Sequence, residues 1–143
     1  MASPADIHRE FLEAFNRRDF EKIRSLFHPQ YTYTGGDGQE MTGGPDVGVG
    51  IVQMWASAFP DARLAIRRVY ELGDVSIGEF SYSGTQTGEF MGIAPTGKRA
   101  QGIVCNVLEH RDGKVYRERE YMDAMHLLSQ LGVTQIPAGV TAS

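Results

Sequence analysis

Residues 98–123 read KRAQGIVCNVLEHRDGKVYREREYMD, two long runs on either side of Arg111-Asp112-Gly113. The first run alternates apolar and polar side chains, as a strand does. Glycine in a short connection accepts the positive φ that a tight hairpin turn requires. The stretch therefore predicts two neighbouring antiparallel strands at residues 98–110 and 115–123. The second strand is unusual because most of its last seven residues, REREYMD, are charged.

The alternation along REREYMD decides which charges point inward. Successive side chains of an extended chain point to opposite faces, so the odd-numbered residues share one face. These are Arg117, Arg119, Tyr121 and Asp123. We expect this face to line a pocket, and we expect Glu118 and Glu120 to lie on the convex outer face, where water or a partner subunit would meet them.

Helical signals come mainly before residue 60. Ser3-Pro4, Asp19 and Pro45-Asp46 each match the start of a helix, with an N-cap residue or a proline at the first position. His8 is expected on the polar side of the first helix, and His28-Pro29 should end the second. The segments predicted to follow the first helix are a second helix, a brief strand at 31–34, an irregular glycine-rich stretch GGDGQEMTGG, a third helix, strands at 62–71 and 74–84, the hairpin above and a short helix at 124–131.

Helices followed by an antiparallel meander predict an α+β fold. We expect three N-terminal helices over the concave face of a strongly curved antiparallel or mixed sheet, which together form a cone around a pocket, with a short C-terminal helix. The 143 residues are sufficient for one domain, predicted at residues 1–133, and residues 134–143 are predicted to be a flexible tail. A homodimer packed through the outer face of the sheet is also predicted.

Composition narrows the range of partners. The net charge of −4 provides no basic surface for nucleic acid. No apolar run approaches the ~20 residues of a membrane span, and the N-terminus lacks the order of a secretory signal, so we predict a cytoplasmic protein without a membrane partner. The single cysteine, Cys105, excludes an internal disulfide, and we expect it to be a buried apolar residue. No pair of histidines has metal-ligand spacing, so no metal and no cofactor are predicted.

Two motifs support a family resemblance. Residues 84–97 read GTQTGEFMGIAPTG, and residues 121–133 read YMDAMHLLSQLGV. Together they resemble the SnoaL-like polyketide cyclase family, within the nuclear transport factor 2-like superfamily of α+β cone folds. The usual family run has histidine after Gly-Thr, whereas this chain has Gln86, which forms hydrogen bonds but does not exchange a proton near neutral pH.

The resemblance implies an aldol-type cyclase or isomerase in which Asp123 is the general acid/base. The alternative for Asp123 is a purely structural N-cap of the last helix. Arg119 would stabilise an enolate or pair with a glutamate across the sheet. Glu79, predicted to point inward, would be either a catalytic partner or half of a structural ion pair. A set of acid, base and cation also suits epoxide hydrolysis, and a non-catalytic module that binds a small ligand is a further alternative.

The pocket itself should be lined by aromatic and amide side chains that hold a small, apolar or polyketide-like molecule. The residues predicted to bind it are Tyr33, Trp55, Phe59, Gln86, Asn106 and Tyr121.

Overall fold

The computed structural model describes residues 2–133, and over this range it contains four helices and six strands. In chain order they are α1 (Pro4–Asn16), α2 (Phe20–Leu26), β1 (Phe27–Thr34), β2 (Glu40–Thr42), α3 (Pro45–Ala58), β3 (Arg63–Leu72), β4 (Val75–Thr85), β5 (Arg99–Arg111), β6 (Lys114–Met122) and α4 (Ala124–Gln130). The predicted tail at residues 134–143 lies outside the described residues. No helix within the described range is long and apolar enough to cross a bilayer.

All six strands form one curved mixed sheet in the order β2-β1-β6-β5-β4-β3. Strands β3 to β6 form the antiparallel meander that the sequence predicts, and β1 joins it by pairing in parallel with β6. The β5–β6 hairpin is confirmed, since Asp112 and Gly113 both have positive φ, as a two-residue type I′ turn requires. The first strand along the chain therefore pairs with the last one inside the sheet.

Helices α1 and α3 cover the concave face of this sheet. The Ser3 hydroxyl accepts a hydrogen bond from the Asp6 backbone N–H, and the Asp6 carboxylate accepts one from the Ser3 N–H, so α1 begins with a capping box. Its apolar side, Ile7, Phe11 and Phe15, is buried, and α1 packs against β3 and β4 while α3 packs against β1. The predicted α+β cone is confirmed.

Two local predictions are wrong. The glycine-rich stretch at residues 35–44 is not wholly irregular, because Glu40–Thr42 form the edge strand β2, which pairs with β1 after a turn at Gly38. His28 is not the last residue of a helix, because α2 ends at Leu26 and His28 lies in β1. A residue before proline disfavours the helical conformation and prefers the extended one, and here that preference starts a strand.

Candidate active site

The concave side of the sheet encloses an apolar chamber of about 90 Å³, which we call the inner chamber. Its walls come from α1, α3 and the inward side chains of β4, β5 and β6. Apolar residues on these elements include Phe11, Trp55, Phe80 and Val104. The side chains with polar groups that border the chamber are Tyr82, Ser83, Asn106, Glu118 and Glu120. Most of the surface that a ligand would meet here is therefore hydrocarbon, which is typical of small-molecule sites.

A second chamber of about 210 Å³, the outer chamber, lies under the loop between β1 and β2 and beside Phe90 and Met91. The two chambers have walls in common: Ile51, Trp55, Glu120, Met122 and Leu127 border both. Glu120 is the only carboxylate among these shared residues of the described chain. A molecule that occupied either chamber would lie next to this side chain.

Glu118 is the more deeply buried of the two cavity carboxyl groups. The Tyr31 hydroxyl donates a hydrogen bond to its Oε1 at 2.5 Å, and the Asn106 amide nitrogen donates to its Oε2 at 3.4 Å. Burial raises the pKa of Glu118 well above its usual range, and the nearby charge of Glu120 raises it further, although the bonds from Tyr31 and Asn106 act in the opposite direction. The group therefore tends to hold a proton near neutral pH.

Glu120 has a similar environment with one donor fewer. The Tyr33 hydroxyl donates to its Oε1 at 3.2 Å. Burial raises the pKa of Glu120 as well, but less far than that of Glu118, and the bond from Tyr33 lowers it. Because the charge of Glu120 helps to raise the pKa of Glu118, the two carboxyl groups titrate as an interacting pair.

The expectation that Glu118 and Glu120 lie on the outer face is wrong. Glu109 pairs with Arg117 and His110 pairs with Val115, so β6 contains one extra residue, Tyr116, opposite this step of β5. Such a bulge moves every later side chain to the other face. Before the bulge, the odd-numbered Val115 is buried. After the bulge, the even-numbered Glu118 and Glu120 point inward.

The same bulge places the odd-numbered residues of β6 outside the cavity. Asp123 is exposed, and its carboxylate accepts a hydrogen bond from the His126 backbone N–H at 2.9 Å as the N-cap of α4. Arg119 pairs with Glu109 at 2.5 Å, and Tyr121 is exposed. The expected inward orientation of Asp123, Arg119 and Tyr121 is therefore wrong, and the structural alternatives for Asp123 and Arg119 describe their contacts.

Glu79 is also exposed on the outer face, so its predicted inward orientation is wrong. The alternation of β4 is misleading because Val75 and Ile77 lie on the outer face, while the residues turned inward next to them, Ser76 and Gly78, are small. The structure therefore does not bring Glu79, Arg119 and Asp123 together. Cys105, on the neighbouring strand, is half-buried, not buried.

The other residues predicted to bind substrate have different positions. Trp55, Phe59 and Asn106 border the inner chamber, and Trp55 and Tyr33 border the outer chamber. Phe59 and Trp55 also form an aromatic cluster with Phe90, in which the ring centroids are 5.0 to 6.2 Å apart. This cluster therefore joins the wall of the inner chamber, at Phe59, to the wall of the outer chamber, at Phe90.

Gln86 is fully buried and stabilises the loop after β4. Its amide nitrogen donates to the carbonyl oxygens of Gly88, Ile93 and Ala94, and its amide oxygen accepts from the backbone N–H and the hydroxyl of Thr96. Gln86 borders neither chamber, so the structure does not place it against a substrate. The motif around it is a loop held together from within.

Sequence reasoning missed both cavity glutamates and one histidine. The hairpin turn alone pairs Arg111 with Lys114, and that register without a bulge would place Arg119 opposite Asn106. The extra residue, Tyr116, places Glu120 opposite Asn106, and no sequence pattern indicated this bulge. His8, expected on the polar side of α1, is fully buried, because Gly78 leaves space beneath it.

Within residues 2–133, no three or more side chains of His, Cys, Asp and Glu lie close enough together to hold a metal ion.

Comparisons with known proteins agree with the fold. A profile of the SnoaL-like polyketide cyclase family matches residues 5–131. The aklanonic acid methyl ester cyclase AcmA of Streptomyces galilaeus is 26% identical over 125 residues, which cover 87% of each chain.

Two solved structures are similar in both fold and sequence. IdmH of Streptomyces antibioticus superposes with a TM-score of 0.78 at 27% identity, covering 92% of this chain and 100% of that one. AclR of Streptomyces galilaeus gives a TM-score of 0.81 at 26% identity, covering 94% of this chain and 85% of that one. The inward-facing carboxyl groups lie within the part of the chain that the family profile covers. The chain belongs to the SnoaL-like polyketide cyclase family.

Proposed function

We propose that this protein closes a ring in a small polyketide-derived molecule by an intramolecular aldol reaction, with Glu120 as general base and Glu118 as general acid. The observation that carries the proposal is the presence of two inward-facing carboxyl groups with raised pKa values on one wall of an apolar cavity, Glu118 buried and Glu120 half-buried. An acid and a base act best when their pKa values lie near the working pH. The reaction needs no cofactor because both proton transfers are made by side chains.

Each step balances in protons and bonds. The Glu120 carboxylate takes a proton from a carbon next to a carbonyl group, which leaves an enolate. The enolate carbon attacks a second carbonyl carbon of the same molecule, one carbon–carbon bond forms, and the carbonyl π bond becomes an alkoxide. Glu118 gives its proton to that oxygen. The proton on Glu120 then passes to Glu118 through water, and the pair returns to its starting state.

Tyr82 supports the placement of a substrate carbonyl in the inner chamber. Its hydroxyl is buried and has no hydrogen-bond partner among residues 2–133. A buried hydroxyl without a partner is costly, and a substrate oxygen would satisfy it. The apolar walls suit fused or aromatic rings, and the relative AcmA is named as a cyclase of a methyl ester. We therefore propose a polyketide methyl ester as the substrate class.

The proposed homodimer uses the outer face of the sheet. Ile103 and Tyr121 are exposed there and lie beside Cys105, so water meets an apolar patch in the isolated chain. Light scattering of Ile103→Arg, which puts a charge into this patch, should report a smaller particle than the unaltered chain does. The cytoplasmic location remains a prediction.

The test of the proposed activity uses an enolisable β-keto methyl ester in heavy water. We expect the protein to exchange the α-hydrogen for deuterium and, with a second carbonyl in reach, to form the ring. Glu120→Gln should lower the exchange rate by about 100-fold or more, because general base catalysis typically contributes 10²–10⁴-fold. Glu79→Gln, the same change on the outer face, is the matched control and should remain within about twofold of the unaltered protein.

Equal exchange rates in Glu120→Gln and the unaltered protein would contradict the assignment of the base. Ligand binding without exchange in any variant would instead favour the non-catalytic module. Hydrolysis of an epoxide analogue that Glu120→Gln abolishes would favour water addition over ring closure.

A further inference from the structure

A continuous chain of buried polar side chains lies beneath the inner chamber and ends on Glu118. Its members, in order from the end of β5, are His110, Ser76, His8, Asn106 and Glu118. The four contacts are 2.8 Å, 2.7 Å, 2.6 Å and 3.4 Å long. All five residues are buried, and His8 and Ser76 are fully so. Three polar residues of this chain, His8, Ser76 and His110, border neither chamber, so the proposed reaction leaves them without a role.

The far end of the chain determines the direction of its hydrogen bonds. The Nδ1 of His110 is buried without a hydrogen-bond partner in the described part of the molecule. An unpaired acceptor is tolerated more often than an unpaired N–H donor, so the proton of neutral His110 lies on Nε2 and is donated to Ser76. Ser76 must then donate its own hydroxyl hydrogen to Nδ1 of His8.

The direction continues from His8 to the carboxyl group. With Nδ1 accepting, the neutral His8 ring carries its proton on Nε2 and donates it to Oδ1 of Asn106. The amide oxygen of Asn106 is thereby turned toward α1, and its NH₂ group is turned toward Oε2 of Glu118. The direction of each hydrogen bond in this series therefore determines the direction of the next one.

The chain does not conduct protons. Asn106 lies between His8 and Glu118, and an amide nitrogen does not give up a proton under physiological conditions. Burial lowers the pKa of His8 to about 4, and burial also lowers the pKa of His110, so neither ring is charged near neutral pH. This series of hydrogen bonds can instead determine the orientation of the Asn106 amide dipole.

We propose that His8 is a positioning residue, which acts through Asn106 to hold an N–H donor against Glu118 and so keeps the acid of the cavity able to release its proton. The inference rests on the proposed function only in calling Glu118 the acid. A donor favours the charged form of a carboxyl group, whereas an amide oxygen in the same place would accept the carboxyl proton and favour the neutral form. Without His8 the Asn106 amide is free to turn over.

The backbone at Gly78 supports this role. Gly78 pairs with Asn106 on β5, and a Cβ added at Gly78 would lie 2.3 Å from Nε2 of His8 and 3.0 Å from Oδ1 of Asn106. Any side chain at this position would therefore enter the contact between His8 and Asn106. The absence of a side chain lets a helix residue reach across the sheet to a strand residue.

The other titratable groups around Glu118 come from different elements. Tyr31 of β1 donates to its second oxygen, and Glu120 lies two residues further along β6. Burial and the charges of these two glutamates raise the pKa of Tyr31 well above its ordinary value, so its hydroxyl stays protonated in the working range. The donor from Asn106 is the one whose direction can reverse.

The first test reads the ring tautomers in the ligand-free protein by ¹⁵N NMR of histidine. We expect the Nε2–H tautomer for both His8 and His110 at pH 7, and we expect His8 to stay neutral down to about pH 5. A proton on Nδ1 of His8 would reverse the chain and overturn the proposal. This measurement needs no substituted protein, so it stands even if the variants below fold poorly.

The second test follows the carboxyl carbon of Glu118 by ¹³C NMR across pH, with Glu118→Gln to assign the signal. His8→Leu removes the donor to Asn106, and we expect the proton affinity of Glu118 to rise about tenfold. His8→Gln offers an amide N–H near the position of Nε2 and should return the titration to within about twofold of the unaltered protein. Gly78→Ala should act like His8→Leu.

An unchanged Glu118 titration in folded His8→Leu would contradict the proposal. So would a rise in His8→Gln equal to that in His8→Leu, because that result would indicate loss of packing and not loss of a donor. Both tests use the protein without substrate. If no ring closure is found but the titrations behave as expected, the proposed function fails and the positioning role of His8 stands.

Discussion

The two faces of β6 carry similar charged residues in opposite environments. On the outer face Arg119 is partly exposed and pairs with Glu109, whereas on the inner face the hydrogen-bond partners of Glu118 and Glu120 within residues 2–133 are the neutral groups of Tyr31, Asn106 and Tyr33. Arg117 is likewise exposed. Water screens the outer charges, but burial makes ionisation of the inner groups costly. The comparison shows that the chemistry of this strand depends on which face a residue occupies more than on its residue type.

Charge reversal on the two faces should give the largest contrast. Glu118→Lys puts an ammonium group against Tyr31 and Asn106 in the cavity wall, and we expect it to lower the free energy of unfolding by about 3–5 kcal/mol. Glu79→Lys, on the outer face of β4, should change it by no more than about 0.5 kcal/mol. Urea unfolding followed by circular dichroism measures both. Similar losses in the two variants would show that Glu118 is not effectively buried.

The second largest contrast between the two faces should be in the pH dependence of stability. Because the pKa of Glu118 is raised on folding, the native state binds more protons than the unfolded state above about pH 4.3, and stability falls as pH rises through the raised pKa. The lowered pKa of His8 acts oppositely: its penalty grows as pH falls from about 6.5 toward 4. Above about pH 6.5 this histidine penalty is absent, and the raised pKa values of the two cavity carboxyl groups determine the slope until the thiol of Cys105 begins to ionise in the unfolded chain.

We therefore expect the unfolding temperature to decline from pH 6.5 toward alkaline pH. Glu118→Gln should flatten this decline, by on the order of 1.4 kcal/mol for each unit by which the pKa is raised. Glu79→Gln should keep the slope of the unaltered protein. Scanning calorimetry between pH 6.5 and 9 makes the comparison, and parallel slopes in both variants would refute a raised carboxyl pKa.

Asp123 provides a smaller effect on the outer side. Its side chain caps α4, so Asp123→Ala should cost about 1 kcal/mol, while Asp123→Asn should keep the cap and most of the stability. In the exchange assay described above, Asp123→Asn should remain active because the carboxylate is outside both chambers. A loss of activity in Asp123→Asn without a loss of stability would restore Asp123 as the acid/base and displace Glu120.

The weakest expected effect is that of the ion pair between Arg119 and Glu109. Both side chains are about one-third exposed, at 37% and 33%, so water screens their attraction. A double-mutant cycle with Arg119→Gln and Glu109→Gln should give a coupling of about 0.2–1 kcal/mol that decreases with added salt. A coupling above about 3 kcal/mol would mean that the outer face is covered, as in a dimer.

The fold was largely predictable because it depends on local signals. Ser3-Pro4 starts α1, the period of two marks β3 to β6, and Asp112-Gly113 determines the hairpin. All of these are visible within a few residues of sequence. The predicted bounds of β3 to β6 agree with the observed ones to within one residue at each end, whereas β1 begins four residues before the predicted strand and β2 was not predicted.

The inner face was not predictable because it depends on a single inserted residue. Tyr116 is the bulge, and its ring is held outside by Arg111, with the guanidinium carbon 4.0 Å from the ring centroid, and by edge contact with His28. These contacts come from the turn and from the distant strand β1. Apolar residues on the outer face, such as Ile77, further obscured the alternation. An alternating pattern identifies two faces but does not say which one is buried.

The parallel pairing of β1 with β6 has a consequence for folding during synthesis on the ribosome. Tyr31 and Glu118 are 87 positions apart along the chain, and their contact closes the cavity wall. During synthesis the apolar faces of α1 and α3 leave the ribosome long before β6, the strand that completes the sheet on which they are buried. Contacts between residues far apart in sequence slow folding, and they leave partly folded intermediates that are prone to aggregation. A nascent chain stalled before β6 should therefore be a client for chaperones.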